Sequence, residues 1–297
     1  MIIITIITLY GGFFMYNQIY NSIRETASKR NLRDSTVDAY CVTIHHFMES
    51  VSKTNLDDLT VSDVETFLSE KRLKGIAPQT YNHYLSAIRF LYKRLLKIYL
   101  DEDDFPRMKK DIHLPVVLTK DEIESILNVT TNLKHKTMLA TMYSAGLRVS
   151  ELTHLHYCDI SRNSKSIHVR DSKSRNERYT LLADRTLNLL TEYWFKYDKP
   201  QDILFPSEHT GSYIRTDSLN QLIKASAQKA GITKKVSSHC FRHSFASHLL
   251  ESGCDIKYIQ SLLGHRDPKS TEVYLHVSDK SLLGVRSPFD AVEVSHE

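Results

Sequence analysis

Four cysteines in 297 residues, Cys41, Cys158, Cys240 and Cys254, stand far apart and form no CxxC pair. That excludes a zinc ribbon and a disulfide framework, and it makes a reducing cytoplasm the expected setting. No phosphate-binding loop of the GxxxxGK type occurs, so P-loop nucleotide binding is excluded. The acidic run DEDD, residues 101–104, lies in a proline-containing connecting stretch rather than in a site-forming pattern, so no paired-metal carboxylate cluster is indicated. Neither a metal nor a cofactor is expected. Internal repeats and low-complexity tracts are absent. The first sixteen residues, MIIITIITLYGGFFMY, are apolar, but no basic residue precedes Arg24 and Gly11-Gly12 interrupts the run. A signal peptide needs the basic residues, and a spanning helix needs about 20 uninterrupted apolar ones. Residues 1–15 are therefore read as an extension from a misassigned start, with Met15 the expected beginning, and no stable membrane association is expected.

What is present is a globular composition, 41% hydrophobic and 25% charged, in a chain long enough for about two domains. The net charge of +4 is too small to identify a partner, but its distribution is uneven. Residues 71–100 hold Lys71, Arg72, Lys74, Arg89, Lys93, Arg94 and Lys97 and no acid, and residues 219–250 hold five basic residues and no acid. Stripes of this kind suit phosphate neutralisation. From residue 16 to 100 the pattern is helical, with starts at Ser35 ahead of Asp38, at Thr60 ahead of Asp63, and at Pro78. In the last of these segments Tyr81, Leu85, Ile88, Tyr92 and Leu95 form the inward stripe and Arg89, Lys93 and Lys97 face outward. Residues 101–115 read as a linker. Residues 116–286 form a second domain, opened by the capping box Thr119/Glu122. It is mostly helical, with helices at 184–197, 216–230, 238–251, 255–263 and 268–276. Residues 164–182 are the exception: Ile167 and Val169 alternate, a basic turn follows, and Tyr179 and Leu181 resume the alternation, which predicts a β-hairpin. Residues 287–297 are a tail. The fold class is mainly α with a small β-hairpin, an α+β arrangement.

Five clusters in the second half carry reactive side chains: AGLRVSEL with Arg148, the hairpin tip with Lys173, HCFRH with His239 and Arg242, LLGH with His265, and STEVYLH with Tyr274. Singly each has an ordinary explanation. Arg148 can pair with Glu151 one turn on, and Tyr274 is one of sixteen tyrosines. Together and in this order they resemble the tyrosine recombinase (phage integrase) superfamily, especially its bacterial Xer-like members, with the basic helical half resembling the family's core-binding, DNA-binding domain.

The resemblance implies a site-specific recombinase that cuts and rejoins DNA through a 3′-phosphotyrosyl intermediate. Arg148 and Arg242 would clamp the scissile phosphate, since guanidinium groups are planar, permanently charged and bidentate. Tyr274 would be the nucleophile, assisted by His239. Lys173 would protonate the leaving 5′ oxygen, with Arg175 as a competing donor on the same turn, and His265 would donate to the phosphate. Glu151 would hold Arg148. DNA contacts are expected from Lys71, Arg72, Lys74, Arg89, Lys93, Lys97 and Arg175. The expected partner is double-stranded DNA with inverted-repeat-like sites, bound by a homotetramer or by an assembly with a related recombinase. Transfer that conserves bond energy would need neither ATP nor metal. Two alternatives stay open at this level: relaxation of DNA in the manner of a type IB topoisomerase, and a DNA-binding protein without catalysis.

Overall fold

A computed structural model describes residues 19–53, 55–109, 114–170, 177–197, 199, 201–265 and 267–274. The chain divides into two compact units, Met1–Ile112 and His113–Glu297, each with its own core.

The first unit is helical: α1 (residues 19–28), α2 (Asp34–Ser50), α3 (Val61–Leu73) and α4 (Pro78–Leu91). Ile44, Phe47 and Met48 of α2, Val64 and Phe67 of α3, and Leu85 and Ile88 of α4 are buried together. The Phe47 and Phe67 rings meet edge to face at 5.2 Å. The expected start at Thr60 is present, the Asp63 carboxylate accepting from the Thr60 backbone N–H at 2.6 Å and from its hydroxyl at 2.8 Å. Pro78 opens α4 as expected, at a position whose N–H would have no helical partner. The start at Ser35 is a correction: α2 begins at Asp34 with Arg33 as an extended, uncapped entry, so Ser35 already lies inside the helix.

Tyr81, Leu85, Ile88 and Tyr92 are buried as the spacing predicts, but Leu95 is only partly covered. The cause is a π-helical turn, Tyr92–Leu96, which advances the phase before Lys97 ends the helix at φ 61°. The stretch read as a linker is not free of the helical unit. Phe105 is buried in its core, and the Asn82 amide exchanges two 2.9 Å hydrogen bonds with the backbone of Met108.

In the second unit α5 (Lys120–Val129) starts on its capping box, Thr119 Oγ1 accepting from Glu122 N at 3.1 Å and Glu122 accepting from Thr119 N at 2.7 Å. The helices α6 (Leu133–Ala145) and α7 (Val149–Thr153) follow, and then a three-stranded antiparallel sheet in chain order: β1 (Ile160–Ser161), β2 (Ser166–Val169) and β3 (Arg178–Leu181). The hairpin is present, with Ile167 opposite Thr180 and His168 opposite Tyr179. Its second strand runs in the opposite phase to the one expected. Tyr179 and Leu181 are 65% and 43% exposed, while Arg178 and Thr180 face inward beside Ile167 and Val169. Hydrogen bonding decides this phase. Thr180 Oγ1 donates to the Ala145 carbonyl at 2.8 Å, and Arg178 is drawn to a buried carboxylate.

The remaining helices are α8 (Asp184–Lys196), α9 (Thr216–Lys229), α10 (Ser238–Glu251), α11 (Ile256–Leu263) and α12 (Lys269–Glu272). Among the described residues no helix is long and apolar enough to cross a membrane.

Candidate active site

The site is assembled around one carboxylate. Glu151, on the first turn of α7, is 8% exposed and takes up three arginines. Arg148, the residue that enters the helix, donates its backbone N–H to Oε2 at 2.8 Å and Nη1 to Oε1 at 2.7 Å. Arg178 of β3 forms a two-pronged pair, 2.9 Å to Oε1 and 2.8 Å to Oε2. Arg242 of α10 stands 3.6 Å from Oε2. Burial by itself would raise the Glu151 carboxyl, but the hydrogen bonds and charge of Arg178, the charge of Arg242 and the Arg148 N–H bring it down to about 2.

Three guanidinium groups against one carboxylate leave an excess of positive charge. Arg178 and Arg242 are buried, with side chains 7% and 4% exposed, whereas Arg148 is 38% exposed and open to a ligand. Burial and then the neighbouring Arg148 charge push Arg242 down to about 9, so it is still cationic at neutral pH. Its Nη1 donates to the Gly146 carbonyl at 2.8 Å and its Nη2 to Leu263 at 2.5 Å, which fixes the guanidinium against two loops.

Glycine makes both loops possible. Gly146 ends α6 at φ 61°, and a Cβ there would sit 2.4 Å from the Phe245 ring. Gly264 ends α11 at φ 65°, and a Cβ there would meet Arg178 Cδ at 2.8 Å. The first turn presents Arg148 and the second presents His265. Arg178 joins the halves, since its Nε also donates to the Leu262 carbonyl at 2.7 Å.

His265 is partly buried, with Nδ1 and Thr271 Oγ1 2.8 Å apart. Burial, then the charges of Arg242, Arg148 and Arg178, lower its titration to about 4, so the ring is neutral at physiological pH. Tyr274 follows α12 and is 1% exposed. Burial raises its hydroxyl above the ordinary phenol value, while Arg242 and Arg148 pull the other way, so the tyrosine lies within reach of both guanidinium charges.

Of the residues singled out in the sequence, the structure brings Arg148, Arg242, His265 and Tyr274 to one place. His239 is on the same helix as Arg242 but is exposed, and the partner of the Tyr274 hydroxyl is His243 Nδ1 at 3.0 Å. Lys173 and Arg175 lie outside the described residues. Sequence reasoning missed Arg178 and His243. The signal for His243 was its spacing of four from His239 on one helix; Arg178 carried none, since the alternation pointed Tyr179 and Leu181 inward instead.

The basic stripe of the first unit is thinner than its sequence suggested. Lys71 is a correction: it is buried, its ammonium 2.9 Å from His46 Nε2 and over the Phe67 ring at 4.7 Å. Arg89 is another, 17% exposed rather than outward, bound to Glu102 at 3.2 Å and to the Phe105 carbonyl at 2.9 Å. Lys74 pairs with Glu70. Arg72 lies over the Tyr81 ring, Lys93 over the Tyr99 ring, and Lys97 bonds the Arg94 carbonyl; these three are exposed.

Comparison with known proteins agrees with this geometry. Residues 116–281 match the phage integrase family, and residues 19–102 match the phage integrase N-terminal SAM-like domain. An integrase/recombinase of Sinorhizobium fredii is 31% identical over 293 residues, covering 95% of this chain and 94% of that protein. The tyrosine recombinase XerD of Yersinia pestis is 32% identical over 272 residues, covering 86% and 90%. In fold, the chain is similar to the XerH site-specific recombinase bound to its difH substrate before cleavage, with a TM-score of 0.68, 21% identity and coverage of 88% and 81%. With the family model spanning more than half of its length, the chain belongs to the phage integrase family of tyrosine recombinases.

Proposed function

We propose that this protein exchanges strands between two specific duplex DNA sites, with Tyr274 as the nucleophile. The observation that carries the reading is the cluster of Arg148, Arg178 and Arg242 around the single buried carboxylate of Glu151, with Arg148 and Arg242 within electrostatic reach of the Tyr274 hydroxyl. Such a surplus of fixed donors suits a phosphodiester whose transition state concentrates charge on its non-bridging oxygens. Arg148, open to a ligand, and the end of Arg242 beside it take the phosphate; Arg178 keeps Glu151 and the His265 loop in place. The Tyr274 oxygen bonds to phosphorus, its phenolic proton passing to His239, as the bond to the 5′ oxygen breaks and Lys173 gives that oxygen its proton. His265 hydrogen-bonds a phosphate oxygen. The product is a 3′-phosphotyrosyl enzyme and a free 5′ hydroxyl.

Since the phosphodiester energy is kept in the tyrosyl bond, a 5′ hydroxyl of a partner strand reverses the step, and neither nucleotide nor metal is required. Arg72, Lys93, Lys97 and Arg175 are the DNA contacts that fit this reading, Lys71 being enclosed. Assembly on DNA is as a tetramer of this chain, or with a related recombinase, in the cytoplasm.

The test is a nicked suicide substrate built from short inverted repeats flanking the gene, incubated with EDTA and without nucleotide. A protein–DNA adduct that survives denaturation is expected from the native chain and none from Tyr274→Phe; an adduct from that variant refutes the nucleophile assignment. Joined products from two separate DNA sites distinguish recombination from simple relaxation. Arg148→Ala or Arg242→Ala should slow adduct formation by about 10²- to 10³-fold.

A further inference from the structure

His239 is the histidine that the family resemblance assigns as the assistant of the nucleophile, yet another histidine holds the Tyr274 hydroxyl here. The Tyr274 hydroxyl lies 3.0 Å from His243 Nδ1, with the two rings 5.6 Å apart and tilted. We propose that His243 is a positioning residue: its Nδ1 accepts the Tyr274 hydroxyl and fixes where the phenolic oxygen stands when the phosphate arrives. This rests on Tyr274 being the nucleophile.

The proposed direction, phenol to Nδ1, is that of the neutral ring with its proton on Nε2. His243 is largely enclosed, and the groups facing it are His239 on its own helix, the adjacent Arg242, His265 from the loop after α11, and Tyr274 itself. Burial first, and then His239 and Arg242, lower the His243 ring to about 4, so across the physiological range it is neutral and offers a lone pair. Tyr274 is displaced the other way, above its ordinary value of 10.0. Two groups so far apart do not exchange a proton in the resting protein. The contact is a fixed hydrogen bond, with the phenol as donor.

The placement gives that bond a purpose. Arg242 and His243 are consecutive residues of α10, and Arg242 is locked to the Gly146 and Leu263 carbonyls. The phosphate clamp and the anchor of the nucleophile are therefore set by neighbouring backbone positions of one helix. Among the described residues between α11 and Tyr274, the helix is the four-residue α12, so the tyrosine needs an external reference point. Misplacement of a reacting atom by about 1 Å costs on the order of 10²-fold in rate.

The experiment is single-turnover cleavage of the suicide substrate by the full chain, followed from pH 6 to 9, for His243→Leu and His243→Asn. Asparagine places an acceptor oxygen near the position of Nδ1 but takes no proton in this range. Expected are a loss of about 10²-fold in cleavage for the leucine variant with DNA affinity retained, and recovery to within about tenfold for asparagine with the native pH profile. A leucine variant as fast as the native chain overturns the proposal. So does an asparagine variant as slow as leucine, which would assign proton acceptance instead. If the leucine variant does not bind DNA, the asparagine variant decides alone: near-native rate upholds the anchor, and loss of rate overturns it. Tyr274→Phe runs alongside, so that an adduct formed without the tyrosine is recognised as failure of the nucleophile reading and not of this one.

Discussion

A single carboxylate holding three arginines makes Glu151 the residue on which the site depends most. Removing the Arg178 pair leaves it buried with too few donors, and breaking a buried pair from one side costs about 3–5 kcal/mol. Arg178→Met should therefore lower the urea midpoint of the second unit and abolish adduct formation, although Arg178 is not proposed to touch DNA; a variant of native stability would show that Arg148 and Arg242 satisfy Glu151 unaided. The same residues set the response to acid. Glu151 is depressed in the folded chain to about 2, so its stabilisation is present above its ordinary value of 4.5 and is lost as pH falls toward 2. His243 and His265 are depressed to about 4 from 6.5, so between those values the unfolded chain binds protons that the folded one refuses, and stability falls as pH falls. Acid sensitivity should thus begin below pH 6.5, well before Glu151 titrates. Urea midpoints at pH 7.5 and 5.0 should differ in the native chain and differ less in the His243→Asn/His265→Asn double variant; an equal drop in both would assign the effect to other groups. Arg148, Arg242, His265 and Tyr274 were legible in the sequence because their order and spacing are distinctive. Arg178 was not, since nothing in RNERY distinguishes an inward guanidinium from a surface one until Glu151 is known to lie behind it.

Among the elements, β3 shows where a polarity pattern misleads. Alternation of Tyr179 and Leu181 predicts an apolar inner face, but the inner face is Arg178 and Thr180, because each has a buried acceptor waiting and an unmet acceptor costs more than an exposed tyrosine. Thr180→Val should destabilise by about 1–3 kcal/mol, since it strands the Ala145 carbonyl in the core, whereas Tyr179→Ser should stay within about 0.5 kcal/mol despite its larger change in side chain. Chemical denaturation of the two variants gives the comparison, and the reverse ranking would mean that the strand sits one residue out of register. Helix ends were more readable. Thr60, Pro78 and Thr119 act through their immediate neighbours, and local chemistry of that kind survives folding unchanged. The basic stripe was not, since an acid-free window of sequence says nothing of Glu70 and Glu102 just outside it, which reach Lys74 and Arg89 in space.

At the level of the whole molecule, the separate cores of the two units, one cluster in the first and two in the second, imply two folding units. Phe47 is fully enclosed in the first unit and Leu139 in the second, and no residue is shared between their clusters. Truncation of a buried phenylalanine to alanine costs about 3–5 kcal/mol and of a buried leucine about 2–5 kcal/mol, which corresponds to a midpoint shift of roughly 10–20 °C for the first unit and roughly 4–20 °C for the larger second one. Calorimetry of the DNA-free chain should therefore resolve two transitions, with Phe47→Ala lowering one and Leu139→Ala the other. If both units take part in holding the duplex, as proposed, DNA carrying the recognised site should raise both transitions, because a ligand bound by a folded unit stabilises it by mass action. Raised salt should remove most of that increase, as counterions released from the phosphates gain less entropy in a concentrated solution. Between the two midpoints of the Phe47→Ala chain the second unit is still folded and retains Arg148, Arg242 and Tyr274. Adduct formation should then persist at that temperature with weakened DNA affinity, separating the unit proposed to hold the chemistry from the unit proposed to add DNA contacts. If either substitution shifts a single common transition instead, the two cores melt as one body and this division of labour fails.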